Sequence, residues 1–263
     1  MRISLILLSL FIFCVQLCGQ VLQIEYNGDP LSEEERGKIE KMFVHEAEFY
    51  SQFGLPDTLT IVHLYMFEKK EAAKIFLKSI GVTTWEKVAG LYVTAQNKIV
   101  ILGAENGRKR TLSIIYHELS HHFARHIIGV HIPKWFNEGL ARYFENSVIT
   151  KKGVRHSLTD YEFGRIRSMY MLGEINLLEF INGLRDEFMI EEFTNEGYSY
   201  TLSHALVAFW IEELPGDMLK RFVYSLKDVD DSSTISERID KIYSGGFKQF
   251  EKDFQILSIM MIE

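Results

Sequence analysis

Residues 110–129 read RTLSIIYHELSHHFARHIIG. Leu112, Ile115, Leu119, Phe123 and Ile127 recur in it at three- and four-residue spacing, which predicts a largely buried helix. On such a helix His117 and His121 are one turn apart and project from the same face. Two imidazoles so placed can grip one zinc ion at about 2.0–2.1 Å each. Glu118 follows the first histidine and points slightly around the helix, where it reaches a water on such an ion more readily than the ion itself. That is the position of a general base. The plainer alternative is two histidines on a surface helix with Glu118 in solvent. The apolar character of the rest of the helix weighs against it, because polar groups that face a core need partners.

A tetrahedral catalytic zinc site takes three protein ligands and leaves the fourth place to water. Gly129 suits a helix stop, and Pro133 opens a second helical stretch, IPKWFNEGLARYFENSV (132–148). Its apolar stripe is Trp135, Phe136, Leu140, Tyr143 and Phe144, and Glu138 lies in its first turns. A helix hairpin of this length can bring Glu138 back beside the two histidines, giving a ligand set of His117, His121 and Glu138. The competing use of Glu138 is an ion pair with Arg142 at i+4, worth only a few tenths of a kcal/mol.

HELSH followed by PKWFNEGLARYFE resembles the gluzincin metallopeptidases, and WFNEGLA is similar to the matching element of aminopeptidase N-type zinc peptidases. The runs YTLSHALVAFW (200–210), LPGDMLKRFVYSL (214–226) and FKQFEKDF (247–254) look more like the smaller peptidase MA-like proteins. The resemblance covers roughly residues 85 to 255 and is specific at the two ligand motifs. It implies a zincin-like catalytic core, Zn2+ on His117, His121 and Glu138, Glu118 as general base, and a peptide or protein substrate. It also implies a tyrosine well downstream of the third ligand that steadies the tetrahedral oxyanion. Tyr200 takes that place, with Tyr198 as the alternative; a core tyrosine with a satisfied hydroxyl is the structural reading. His204, one turn past Tyr200, can face the same cleft. An edge strand before the metal helix is expected to pair with extended substrate, and Leu91 to Ala95 or Lys98 to Leu102 can supply it, an ordinary sheet strand being the other reading. No G-x-M-E-N motif precedes the helix, and Glu86 and Glu105 are amine-binding candidates by proximity alone. The residue four beyond Glu138 is Arg142 rather than aspartate, so the partner that orients His117 is not identified, and exo- and endopeptidase action both stay open.

The remaining chain predicts an α+β protein: a small mixed sheet with helices, followed by an all-helical C-terminal lobe. Strands are expected at VLQIEYNG (21–28), LTIVHLYMF (59–67) and around Ala95–Lys98, and a capping box at Ser32 and Glu35 opens a helix that stops at Gly54. Another helix should precede Gly81, and KKGVR (151–155) and DVDDSST (228–234) read as loops. His45 reads as a partly exposed histidine, His63 as a packed core residue, and His122, His126 and His131 as structural or solvated. Residues 20–150 are taken as sheet and metal-binding helices, and 151–263 as the helical lobe.

The chain of 263 residues carries a net charge of −7 with no basic block, which argues against a nucleic-acid partner. Arg2 and the apolar run Ile3 to Phe13 predict a secretory signal peptide over residues 1–19, hence export. Acylation of Cys18 is the less favoured alternative, and only that would tie the protein to a membrane. Both cysteines, Cys14 and Cys18, fall in this segment, so a metal site in the mature chain must use histidines and carboxylates. A structural zinc site fits such a donor set poorly. The rival to a peptidase is a non-catalytic cell-envelope binding module on the same scaffold. Oligomeric state has no signature here.

Overall fold

Lys98–Leu102 reads KIVIL without alternation, the pattern of a strand covered on both faces. A computed structural model describes residues 14–17, 20–28, 30–55, 59–83, 89–103, 107–194 and 197–260, and in it this strand lies inside a mixed sheet. The protein is α+β and divides into two compact units, 1–51 with 55–122, and 52–54 with 123–263.

The first unit holds the sheet. Its strands are β1 (Cys14–Leu17), β2 (Gln20–Asn27), β3 (Thr60–Phe67), β4 (Gly90–Val93) and β5 (Lys98–Leu102), in the order β1-β2-β3-β5-β4. β2, β3 and β5 are parallel, whereas β1 and β4 are antiparallel edges. Side chains alternate across the sheet. Val100 and Leu102 pack with Phe67 against Ala73 and Leu77 of α2 (Lys70–Ser79), while Ile99 and Ile101 are buried on the other face. Thus β5 is an interior strand, and Lys98–Leu102 has no open edge for a substrate. Of the two strands considered for that part, only β4 lies at an edge. His63 also differs from its reading as a core residue: it is half-buried, 3.9 Å from Glu25.

Helix α1 (Glu33–Ser51) opens on the expected capping box, with the Glu35 backbone N–H donating to Ser32 Oγ at 3.2 Å and the Ser32 N–H to Glu35 Oε2 at 2.8 Å. Helix α3 (Arg108–Phe123) continues into a π-helical turn, Ala124–Ile128, and stops at Gly129, whose φ of 124° suits glycine. Glu86 and Glu105 lie outside the described residues, as does most of the predicted leader; its Cys14–Leu17 form β1.

The second unit is mainly helical: α4 (Lys134–Glu145), α5 (Asp160–Met171), α6 (Leu177–Asn182), α7 (Arg185–Thr194), α8 (Tyr198–Ala208), α9 (Gly216–Lys227), α10 (Ile235–Ile242) and α11 (Gly246–Met260). An aromatic core joins them. Trp210 stacks on Phe222 at 4.8 Å, Phe222 meets Phe136 edge-on at 5.2 Å, and Phe250 closes on Trp210 at 5.3 Å. Helices α4 and α8 approach so closely that a Cβ on Gly139 would overlap the Ser203 carbonyl oxygen. The stretch 151–155, expected as a loop, instead forms a small hairpin: β6 (Val148–Thr150) pairs with β7 (Gly153–Arg155) around a Lys151–Lys152 turn. Three-residue exposed strands are too short to show alternation in a sequence. Among the described residues no helix is long and apolar enough to cross a membrane.

Candidate metal centre

Helix α3 buries Ile115, Leu119 and Phe123 completely. That fixes its rotation and leaves His117 and His121 on a half-buried face. Their rings meet edge-to-face with centroids 4.7 Å apart, and the two Nε2 atoms are 3.1 Å apart. Two nitrogens held at tetrahedral angles, each about 2.0–2.1 Å from one zinc ion, lie about 3.3 Å apart. The observed spacing therefore suits a shared cation with little adjustment.

Glu118 is buried, at 7% exposure. Its carboxylate leans on the first residue of the edge strand: a Cβ on Gly90 would come within 3.1 Å of Glu118 Oε1 and would overlap Ile114 Cγ2. The next histidine, His122, is fully buried. Its Nδ1 lies 2.7 Å from Asn97 Oδ1 and its Nε2 2.8 Å from Gln20 Oε1. Asn97 Oδ1 also accepts from the Tyr92 hydroxyl at 2.9 Å, and Asn97 itself is left-handed, with φ 51°. His122 thus ties the β4–β5 turn to α3 and has a structural role. His126 is half-buried, with its basicity lowered by burial and by Arg125, and His131 is exposed.

Within the second unit, Glu138 sits on α4 at 3% exposure, and Lys134 Nζ lies 2.5 Å from its Oε1. This ion pair replaces the one considered with Arg142, which bonds instead to Glu145 at 3.0 Å and Glu162 at 3.1 Å. Glu162 also meets His204 Nδ1 at 3.0 Å and caps α5 through Thr159. Burial alone would raise the Glu162 carboxyl, but the His204 bond and charge, the Thr159 N–H and the Arg142 guanidinium outweigh it and hold the pKa at about 2. His204 is thereby part of a buried ionic cluster, at 1% exposure.

Tyr200 lies in the first turn of α8 and is half-buried. Its backbone N–H donates to Glu192 at 3.4 Å, and its ring meets Phe188 edge-on at 5.4 Å. Phe188 in turn lies 5.9 Å from Lys134 Nζ, so Tyr200 stands two contacts from the ion pair on Glu138. Tyr198 is buried, and its hydroxyl donates to the Glu174 carbonyl at 3.4 Å.

His117, His121 and Glu138 each present one ligand atom, and these atoms all lie within 4.8 Å of one another. Two imidazoles and a carboxylate, without sulfur, are a donor set suited to zinc. Three residues escaped the sequence reading. Gly90 carries no local signature, whereas Lys134 stands four residues before Glu138 on one helix, the same spacing that brought Arg142 into consideration. Glu46 carries one as well, since it interrupts the apolar run Ile39, Phe43, Ala47, Tyr50 on a helix where every one of these residues is fully or almost fully buried. No protein-family model matches the chain, and no curated protein sequence matches it.

Proposed function

We propose that this protein is an exported zinc-dependent peptidase of gluzincin type, related to the peptidase MA-like proteins and hydrolysing peptide bonds in peptide or protein substrates. The observation that carries the reading is the convergence of His117, His121 and Glu138 within 4.8 Å, with Glu118 as the residue next to the first histidine. A bound zinc ion supplies Lewis acidity and a water acidified towards neutrality.

The chain's own residues do the rest. Glu118 takes one proton from the attacking water as its oxygen bonds to the amide carbonyl carbon. It then delivers that proton to the leaving nitrogen as the C–N bond breaks, yielding an amine and a carboxylic acid, which gives up the second water proton to solvent. Tyr200 is assigned to the developing oxyanion as a hydroxyl donor. β4, whose Gly90 abuts Glu118, lies at the edge of the sheet and is the strand to which an extended peptide would add.

A second reading is a non-catalytic binding module on the same scaffold. It is favoured by the Lys134–Glu138 pair, in which an ammonium satisfies the third ligand carboxylate without any metal. Metal analysis of purified protein, with digestion of a peptide library before and after chelation, separates the two. Stoichiometric zinc with chelator-sensitive cleavage is expected; zinc binding without cleavage of any peptide favours the module.

A further inference from the structure

Helices α1 and α3 run side by side in the same direction. Arg108 Nε lies 3.7 Å from Glu35 Oε1 near their starts, and the Tyr50 hydroxyl bonds Ser120 Oγ at 2.7 Å further along. One turn before Tyr50 and Ser120 stand Glu46 and His117, which the shared register brings to the same level. Glu46 is completely buried, and neither of its carboxylate oxygens has a hydrogen-bond partner among the described residues. A buried carboxylate without a partner is costly, and a leucine there would serve the α1 stripe better. Burial drives the Glu46 carboxyl well above the ordinary carboxylate range, and the charge of His117 opposes that rise. Histidines on zinc almost always donate their second ring N–H to a carboxylate, carbonyl or water. Here Nε2 of His117 is the nitrogen that faces His121, so the second nitrogen is Nδ1.

We propose that Glu46 is the positioning residue of the metal centre, accepting the Nδ1–H of His117 while Nε2 of the same ring faces the cation. The bond closes when a cation fixes the ring, and it holds the tautomer and orientation that leave Nε2 unprotonated for coordination. The proposal rests on the zinc reading of His117, His121 and Glu138. It supplies the outer partner that the family-type position, occupied by Arg142, cannot.

The test is zinc affinity, measured by competition with a chromophoric chelator, together with the thermal midpoint of the metal-free protein, for the wild type, Glu46→Gln and Glu46→Leu. Glu46→Leu should weaken zinc binding by about 10- to 100-fold, with a metal-free midpoint no lower than that of the wild type. Glu46→Gln, whose amide oxygen still accepts, should lose less. A purely structural Glu46 gives the opposite pattern, a lowered metal-free midpoint with unchanged affinity, and that result overturns the proposal. If Glu46→Leu does not fold, Glu46→Ala, which also lacks an acceptor, takes its place, and wild-type affinity in it overturns the proposal equally. A wild-type protein that binds no zinc sinks the metal reading and this proposal together; a zinc-binding wild type with an unaffected Leu variant sinks Glu46 alone.

Discussion

Gly90, the first residue of the edge strand, lies against the carboxylate of Glu118, with room for a hydrogen but not for a methyl group. A Cβ there would stand 3.1 Å from Glu118 Oε1 and 3.2 Å from its Cγ, and would overlap Ile114 Cγ2. Gly90→Ala should therefore displace the proposed general base while leaving the proposed ligands in place. Peptide hydrolysis should fall by about 10- to 100-fold, the scale of a misplacement near 1 Å, with zinc content unchanged. Overpacking should also cost about 1–3 kcal/mol of stability. Steady-state kinetics beside metal analysis checks this; wild-type kcat in Gly90→Ala removes the contact from the mechanism.

Glu118 is expected to move protons rather than hold metal. Glu118→Gln should keep stoichiometric zinc and lose hydrolysis by at least about 10²–10⁴-fold, the usual contribution of a positioned acid–base group. Full activity in this variant would take Glu118 out of the reaction, and loss of zinc would reassign it as a ligand.

Lys134 occupies the Glu138 carboxylate that the proposed zinc ion would share. The lysine is 21% exposed and the glutamate 4%, so the pair is worth on the order of 1 kcal/mol. Lys134→Met should tighten zinc binding by about fivefold, that energy expressed as an affinity ratio. The gain should shrink as salt is added. Calorimetric titration at two ionic strengths reads both effects, and weaker binding in the variant would show that Lys134 supports the ligand set.

The second unit carries its own acid sensitivity at Glu162. Its carboxyl is held at about 2 by His204, Thr159 and Arg142 against the contrary effect of burial. A group depressed on folding stabilises above its unfolded pKa, about 4.3, and that stabilisation is lost as pH falls through the folded value. The wild type should therefore exceed Glu162→Gln by roughly 3 kcal/mol near neutrality. The advantage should decline from about pH 4.5 and vanish near pH 2. Urea unfolding of both proteins across this range measures it; a pH-independent gap would mean that the cluster acts through packing alone.

The helical part of the site was legible because helix geometry is local. A four-residue step puts His117 and His121 one turn apart whatever the rest of the chain does, and the apolar residues around them say which face is buried. The strand KIVIL shows no alternation, the mark of two covered faces, yet both it and Leu91 to Ala95 are candidate edges until the strand order is known. The Glu46 anomaly was equally visible, as one carboxylate set in an apolar stripe.

Long-range choices were not legible. That Glu138 reaches the histidines and that Gly90 meets Glu118 depend on how separate elements pack. From its sequence alone this protein declares an α+β chain with two imidazoles and a neighbouring carboxylate on one helix, because those follow from short-range periodicity. Which third carboxylate joins them, which strand stays at the edge and which buried acid stands level with His117 are decided only in three dimensions. Those contacts join residues tens of positions apart, and burial and packing, not spacing, select them.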